Sequence, residues 1–234
     1  MTAVLKGVIF DMDGVIIESE YTHYRAICHA MGSQLAVSYD TFVEKCTGAD
    51  ERFAMGRMAE LSGIDYDEVL LQQWSRKKAD AYRQLVSTEA KTMPGAMDLV
   101  ESTASRFPIA LATGSRRSDV DAAFEALAEG RLPKLFHTIV TSSDVERPKP
   151  DPSTYQNAVD GLGLSSENCL AIEDSPNGVR SAKGAGLRVL GVSAMHGAES
   201  LSAADWCVSS LEKISITDLI YLFQSYPPGN PIIL

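Results

Sequence analysis

Asp11 and Asp13 stand two residues apart, directly after the short apolar run Val8-Ile9-Phe10. Two carboxylates at that spacing can ligate a hard divalent cation, and one can attack an electrophile while the other moves a proton. Gly14 follows, and a glycine there lets the backbone turn sharply or a ligand come close. Turns and calcium loops use the same letters. An EF-hand loop would continue with further oxygen ligands and a Glu, whereas this chain runs into Val15-Ile16-Ile17.

Three further places carry groups suited to chemistry. Thr113-Gly114-Ser115 follows an apolar run and opens a helical pattern, so its hydroxyls and amides suit a phosphate group or, more plainly, cap the helix. Lys149 sits in Arg147-Pro148-Lys149-Pro150-Asp151-Pro152, where three prolines fix the backbone and disfavour helix. That holds in place a residue type that usually floats at the surface. Glu173-Asp174 adds two carboxylates ahead of Ser175-Pro176, which in the bland reading is a capped helix start.

These groups share a setting. Val8-Ile9-Phe10 reads as a buried strand, and so do Ile109-Ala110-Leu111-Ala112, Ile139-Val140, Leu170-Ala171-Ile172 and Val189-Leu190-Gly191-Val192. Helical patterns cover 97–104, 118–127, 152–162 and 177–185. Strands alternating with helices predict an α/β fold, a doubly wound parallel sheet with a Rossmann-like core. In such sheets the polar residues just past the strands converge on one rim, where ligands bind. One such strand end is more often a turn or a helix cap; several together are harder to dismiss.

The alternation breaks between 18 and 91. Helical patterns there cover 21–31, 40–46, 50–61 and 67–85, punctuated by Gly32, Gly48 and Gly63. The expectation is an inserted all-helical cap, 18–91, over a catalytic core made of 1–17 and 92–234. The tail Tyr226-Pro227-Pro228-Gly229-Asn230-Pro231 reads as extended.

Composition narrows the class. The chain has 234 residues, 45% hydrophobic and 22% charged, an ordinary globular balance. Its formal net charge is -10, from 21 Lys+Arg against 31 Asp+Glu, so nucleic acid and anionic membrane are poor partners. Cys28, Cys46, Cys169 and Cys207 form no redox or zinc pattern, which fits a reducing cytosol. The opening residues lack a signal-peptide pattern, and the expectation is a cytoplasmic protein, a monomer or weak homodimer.

Asp11-Met12-Asp13-Gly14-Val15, Thr113, Lys149 and Glu173-Asp174, in that order, resemble the four motifs of the haloacid dehalogenase superfamily. The helical insert is similar to the cap of the subgroup that contains β-phosphoglucomutase and many sugar-phosphate phosphatases. The resemblance covers nearly the whole chain and implies roles. Asp11 would attack phosphorus, and Asp13 would protonate the leaving oxygen and then help deprotonate water. Thr113 and the Gly114 amide would hold phosphoryl oxygens, and Lys149 would neutralise charge. Mg2+ would be held by Asp11, the backbone carbonyl of Asp13 and Asp174, with Glu173 close by. An acid at Asp13 disfavours carbon–halogen cleavage, because relatives with that activity usually lack one.

For substrate selection the resemblance points to His23, Gly48, Arg52 and Lys78 in the helical insert, with Ser115 and Arg116 from the core. Gly48-Ala49-Asp50-Glu51-Arg52 resembles the substrate-contacting loop, and Arg76-Lys77-Lys78 is a basic cluster in an acidic protein. Each also fits a plain structural role as a satisfied histidine, a surface pair or a solvated face. Asp50 and Glu51 are more acidic than the corresponding mutase loop, which disfavours a bisphosphorylated intermediate. The expected activity is Mg2+-dependent hydrolysis of a small phosphate ester, a sugar or polyol phosphate; a phosphosugar mutase is the alternative.

Overall fold

The computed structural model describes residues 4–46, 51–127, 130–194, 197–225 and 232–233. Its centre is a seven-stranded sheet: β1 (Gly7–Phe10), β2 (Ile109–Ala112), β3 (Thr138–Val140), β4 (Cys169–Glu173), β5 (Arg188–Val192), β6 (Trp206–Val208) and β7 (Ile232–Ile233). The spatial order is β3-β2-β1-β4-β5-β6-β7, and all the pairings are parallel. The chain leaves β1 toward one edge and returns to build the other, so β1 lies at the point where the strand order reverses, the usual place for a ligand.

Alternation along the strands explains why both faces are covered. Val8 and Phe10 enter a core with Leu111, Ile172 and Leu190, packed by α5 (Ala96–Ala104), α6 (Arg117–Ala126) and α9 (Ile216–Ser225). Ile9 points the other way, into a core with Ala110, Ala171 and Val189 under α7 (Ser153–Leu162) and α8 (Pro176–Gly184). With period two, every residue of β1 is buried on one side or the other. The predicted doubly wound sheet is therefore present.

Four helices follow β1: α1 (Glu20–Met31), α2 (Tyr39–Cys46), α3 (Glu51–Leu61) and α4 (Glu68–Glu89). They share an apolar core of their own, including Ile27, Phe42, Cys46, Met55, Met58 and Trp74. Ala26, Tyr82 and Val86 instead join the core beneath the sheet, which ties the base of α1 and α4 to it. Asp67 caps α4 by accepting a hydrogen bond from the Leu70 amide at 2.8 Å. The helix runs four residues past its expected end at 85, to Glu89. No helix among the described residues is long and apolar enough to cross a membrane.

Three elements lie beyond the sequence reading: β6, β7 and α9. The expected extended tail over 226–231, and the expected helical start at Asp50, lie outside the described residues.

Candidate active site

Register brings the reacting groups together. Phe10 pairs with Leu111 on one side and with Ile172 on the other, so β1, β2 and β4 end level. Asp11, the next residue, donates its amide to Ile172 O at 2.9 Å, and the Thr113 amide donates to Val140 O at 3.0 Å. Asp11 and Glu173 thus emerge side by side from adjacent strands.

Lys149 reaches into that row from a segment whose Lys149–Pro150 peptide is cis. Its ammonium donates to Asp11 Oδ1 at 2.9 Å, to Ala112 O at 2.9 Å and to Glu173 Oε1 at 2.6 Å. All three protons are used. The ammonium also lies 4.8 Å from the centre of the Tyr155 ring. Burial pulls its pKa down, but Asp11 and Glu173 more than offset that and hold it above the ordinary lysine range.

Glu173 is fully buried, and both its oxygens are occupied. Oε1 also accepts from Tyr155 Oη at 3.1 Å, and Oε2 accepts from the Ser175 amide and hydroxyl at 2.9 and 3.0 Å. Ser175 in turn caps α8 through the Gly178 amide at 3.1 Å. A Cβ at position 178 would lie 1.6 Å from Glu173 Oε1, so the carboxylate rests against bare backbone there. The structure therefore gives Glu173 a clear duty: it anchors Lys149.

Asp174 has the opposite character. It is buried, and among the described residues nothing donates a hydrogen bond to it. Burial, then the nearby charges of Glu173 and Asp11, push its carboxyl well above the usual range. Burial likewise pushes Asp11 up to about 8, against the pull of Lys149. Oxygens of Asp11, Glu173 and Asp174 lie within 4.8 Å of one another. Three buried carboxylates facing one ammonium leave an excess of negative charge, which an oxygen-seeking divalent cation fits. Gly14 allows this closeness: at φ 74° it is left-handed, and a Cβ there would lie 1.9 Å from Asp174 Oδ2.

Asp13 is turned away from this cluster. Its Oδ1 accepts from Ser19 Oγ and lies 3.3 Å from His23 Nε2, and its Oδ2 accepts from Ser115 Oγ at 2.6 Å. Burial alone would raise its pKa; the His23, Ser115 and Ser19 bonds win and hold it well below the usual carboxylate range. Both of its side-chain oxygens are therefore engaged. His23 is fixed by stacking on Tyr82, with ring centres 4.4 Å apart.

The cavity over these groups measures about 510 Å³ and is lined by Asp11, Asp13, Lys149 and Asp174 together with Gly114, Ser115, Arg116, His23, Arg52 and Lys78. Thr113 lies beneath it, fully buried, with Oγ1 accepting from the Ser115 amide at 3.0 Å, so its side chain shapes the loop. Arg52 pairs with Glu68. Lys78, although buried, is held by Glu51 at 3.0 Å and stands 4.0 Å from Asp119, while Arg116 reaches Glu51 at 3.2 Å. The basic cluster divides: Lys78 points inward and Arg76 and Lys77 face solvent. Gly48 lies outside the described residues.

Sequence reasoning did not single out Glu20, Asp119 or Tyr155. Glu20 lines the cavity beside Ser19, and Asp119 lies three residues beyond Arg116, within one helical turn. That spacing was the available signal for Asp119. Tyr155 had none, because its helix position is also that of a core aromatic.

Residues 5–186 match the family of haloacid dehalogenase-like hydrolases. Protein CbbY of Rhodobacter capsulatus is 33% identical over 216 residues, covering 88% of this chain and 94% of its own. Validoxylamine A 7'-phosphate phosphatase of Streptomyces hygroscopicus subsp. limoneus is 30% identical over 212 residues, covering 89% and 95%. The crystal structure of CbbY from Rhodobacter sphaeroides in complex with phosphate superposes with a TM-score of 0.81 at 26% identity, covering 92% of this chain and 99% of that one. With its four motif regions gathered at one sheet rim and most of its length matched, the chain belongs to the haloacid dehalogenase-like hydrolase family.

Proposed function

We propose that this protein is a phosphatase that hydrolyses a small phosphorylated metabolite, a sugar or polyol phosphate, through an aspartyl phosphate on Asp11. The observation that carries this reading is the Lys149 ammonium lodged between Asp11 and Glu173. A carboxylate attacks a phosphate dianion poorly because like charges repel, and a fixed ammonium at the point of attack lowers that repulsion. The named activity of the Streptomyces relative and the phosphate bound to the Rhodobacter protein support the same chemistry.

In the first step an Asp11 oxygen bonds to phosphorus as the ester P–O bond breaks, and the leaving oxygen takes a proton from the side of Asp13. In this reading Asp13 is the group that delivers that proton, and His23 Nε2, 3.3 Å from its Oδ1, holds the carboxyl in position. In the second step water attacks phosphorus, Asp13 accepts its proton, and phosphate leaves with Asp11 restored. Asp11, Asp174 and the carbonyl of Asp13 would hold Mg2+, with Glu173 positioning Lys149 beside them. The cation supplies charge neutralisation for the phosphoryl oxygens. Thr113 and the amide of Gly114, which lines the same cavity, would hold those oxygens. Residues 18–91 act as a cap domain on the core 1–17 and 92–234, supplying His23, Arg52 and Lys78 to the substrate side.

The test is release of inorganic phosphate from a panel of metabolite phosphates, with Mg2+ and then with EDTA. Expected is turnover of sugar or polyol phosphates that EDTA abolishes, and none on any ester by Asp11→Asn. Substantial turnover by Asp11→Asn removes the nucleophile assignment. Isomerisation of an aldose 1-phosphate with little phosphate released replaces the phosphatase with a mutase.

A further inference from the structure

Nearly every charged side chain on the substrate side of the cavity has a partner. Lys78 and Arg116 both reach Glu51, Arg52 reaches Glu68, and Glu51 takes one more bond from Ser75 Oγ at 2.8 Å. Glu20 differs. It lines the same cavity, yet among the described residues nothing donates a hydrogen bond to its carboxylate and no cation pairs with it. Burial raises its pKa, with Asp13 adding to the shift and His23 and Lys78 opposing it. Its carboxylate, half-buried and lining the cavity, is an acceptor that a ligand bringing donors can reach directly.

Position says which part of a ligand would do so. Glu20 opens α1 directly after Ser19, whose hydroxyl holds Asp13, and stands three residues before His23, the other partner of Asp13. It therefore belongs with the groups that handle the leaving oxygen. Ile27, Phe42, Cys46 and Ala54 line the same cavity as an apolar wall. A carboxylate together with an apolar wall matches a molecule that carries hydroxyls on one face and C–H bonds on another.

Resting on the phosphatase reading above, we propose that Glu20 selects the alcohol portion of the substrate by accepting hydrogen bonds from its hydroxyl groups. It thereby favours polyhydroxylated phosphate esters and repels esters whose alcohol portion carries a carboxylate. Bonds from hydroxyl to carboxylate are charge-assisted and short, and a site built around a substrate hydroxyl discriminates strongly against the analogue that lacks it.

The experiment measures phosphate release by wild type, Glu20→Gln and Glu20→Ala. The esters are the best sugar phosphate of the panel, its deoxy analogue lacking the hydroxyl next to the ester carbon, phosphoglycolate and p-nitrophenyl phosphate. In Glu20→Ala, kcat/KM for the sugar phosphate relative to the aryl phosphate is expected to fall at least about tenfold, chiefly through KM. Glu20→Gln, which keeps an acceptor, is expected to fall less. Wild type is expected to prefer the sugar phosphate to its deoxy analogue and to phosphoglycolate. Equal proportional losses on sugar and aryl phosphates overturn the assignment of Glu20 while leaving the phosphatase intact, and so does a wild-type preference for phosphoglycolate. Should Glu20→Ala fail to fold, equal wild-type rates on the sugar phosphate and its deoxy analogue overturn it as well. Wild type inactive on every ester overturns the phosphatase reading and this assignment together.

Discussion

Nζ of Lys149 lies 2.9 Å from Oδ1 of Asp11, a contact made across 138 residues of sequence. Both side chains are more than nine-tenths buried. The ammonium also holds Glu173, so its removal leaves two buried acids facing each other with nothing between them. Lys149→Met is expected to lower turnover by about 10²–10³-fold and stability by about 3–5 kcal/mol. Lys149→Arg is expected not to restore activity, because a planar guanidinium cannot aim three protons at Asp11, Ala112 O and Glu173. Steady-state kinetics and urea denaturation check both outcomes.

Protons and cations compete for the same carboxylates. Asp11 has a folded-state pKa raised from 3.8 to about 8, so between those values the folded, cation-free protein binds more protons than the unfolded chain. Stability then falls as pH rises through that window. Asp13 is shifted the opposite way, but its contribution is complete above the ordinary carboxylate range and adds no slope between pH 5 and 8. Cation-free protein is expected to melt at a lower temperature at pH 8 than at pH 6, and added Mg2+ to raise Tm more at pH 8. Thermal melts with Mg2+ and with EDTA at the two pH values decide it; a larger Mg2+ effect at pH 6 contradicts the scheme.

Gly178 offers a test that changes no charged group. Its missing side chain leaves the space in which Glu173 lies, so Gly178→Ala must displace the carboxylate that anchors Lys149. The expected cost is about 1–3 kcal/mol, with kcat reduced and KM little changed. Gly184 lies on the same helix, where a Cβ would meet only Pro152 at 3.3 Å, and Gly184→Ala is the control expected to keep full activity.

Glu51 binds two cations from different helices, Lys78 of α4 and Arg116 at the start of α6. Glu51→Ala leaves the buried Lys78 with Asp119 at 4.0 Å as its nearest acid. The ratio of sugar phosphate to aryl phosphate turnover is expected to change by more than about fivefold, and Tm to fall. Comparison of kcat/KM on the two esters reads the first, and a melt reads the second.

The reacting groups were legible because each stands at a strand end or between prolines, where the backbone is fixed and a polar side chain has few directions to take. Register then did the rest: β1, β2 and β4 end level, so residues identified separately had to meet. Lys78 was legible as a basic residue but not as an inward one, although buried Trp74 and Ser75 sit four and three residues before it on the same helix face. Glu20 was hidden by a commonplace, since an acid in the first turn of a helix already suits the helix dipole. Three residues are too few for β6 to show a period. α9 did carry a signal: Ser215 and Asp218 bond reciprocally at its start, the spacing of a capping box.

Gly14 carries a consequence for how this enzyme can diversify. No side chain fits between the first acidic loop and Asp174, so a mutational library is expected to be nearly empty at that position whatever the ester supplied. Variation in what the enzyme accepts must then accumulate on the cavity-lining positions of α1, α3 and α4 other than His23, which holds Asp13. Laboratory evolution toward a new ester is best aimed at those helices, leaving the loop after β1 untouched.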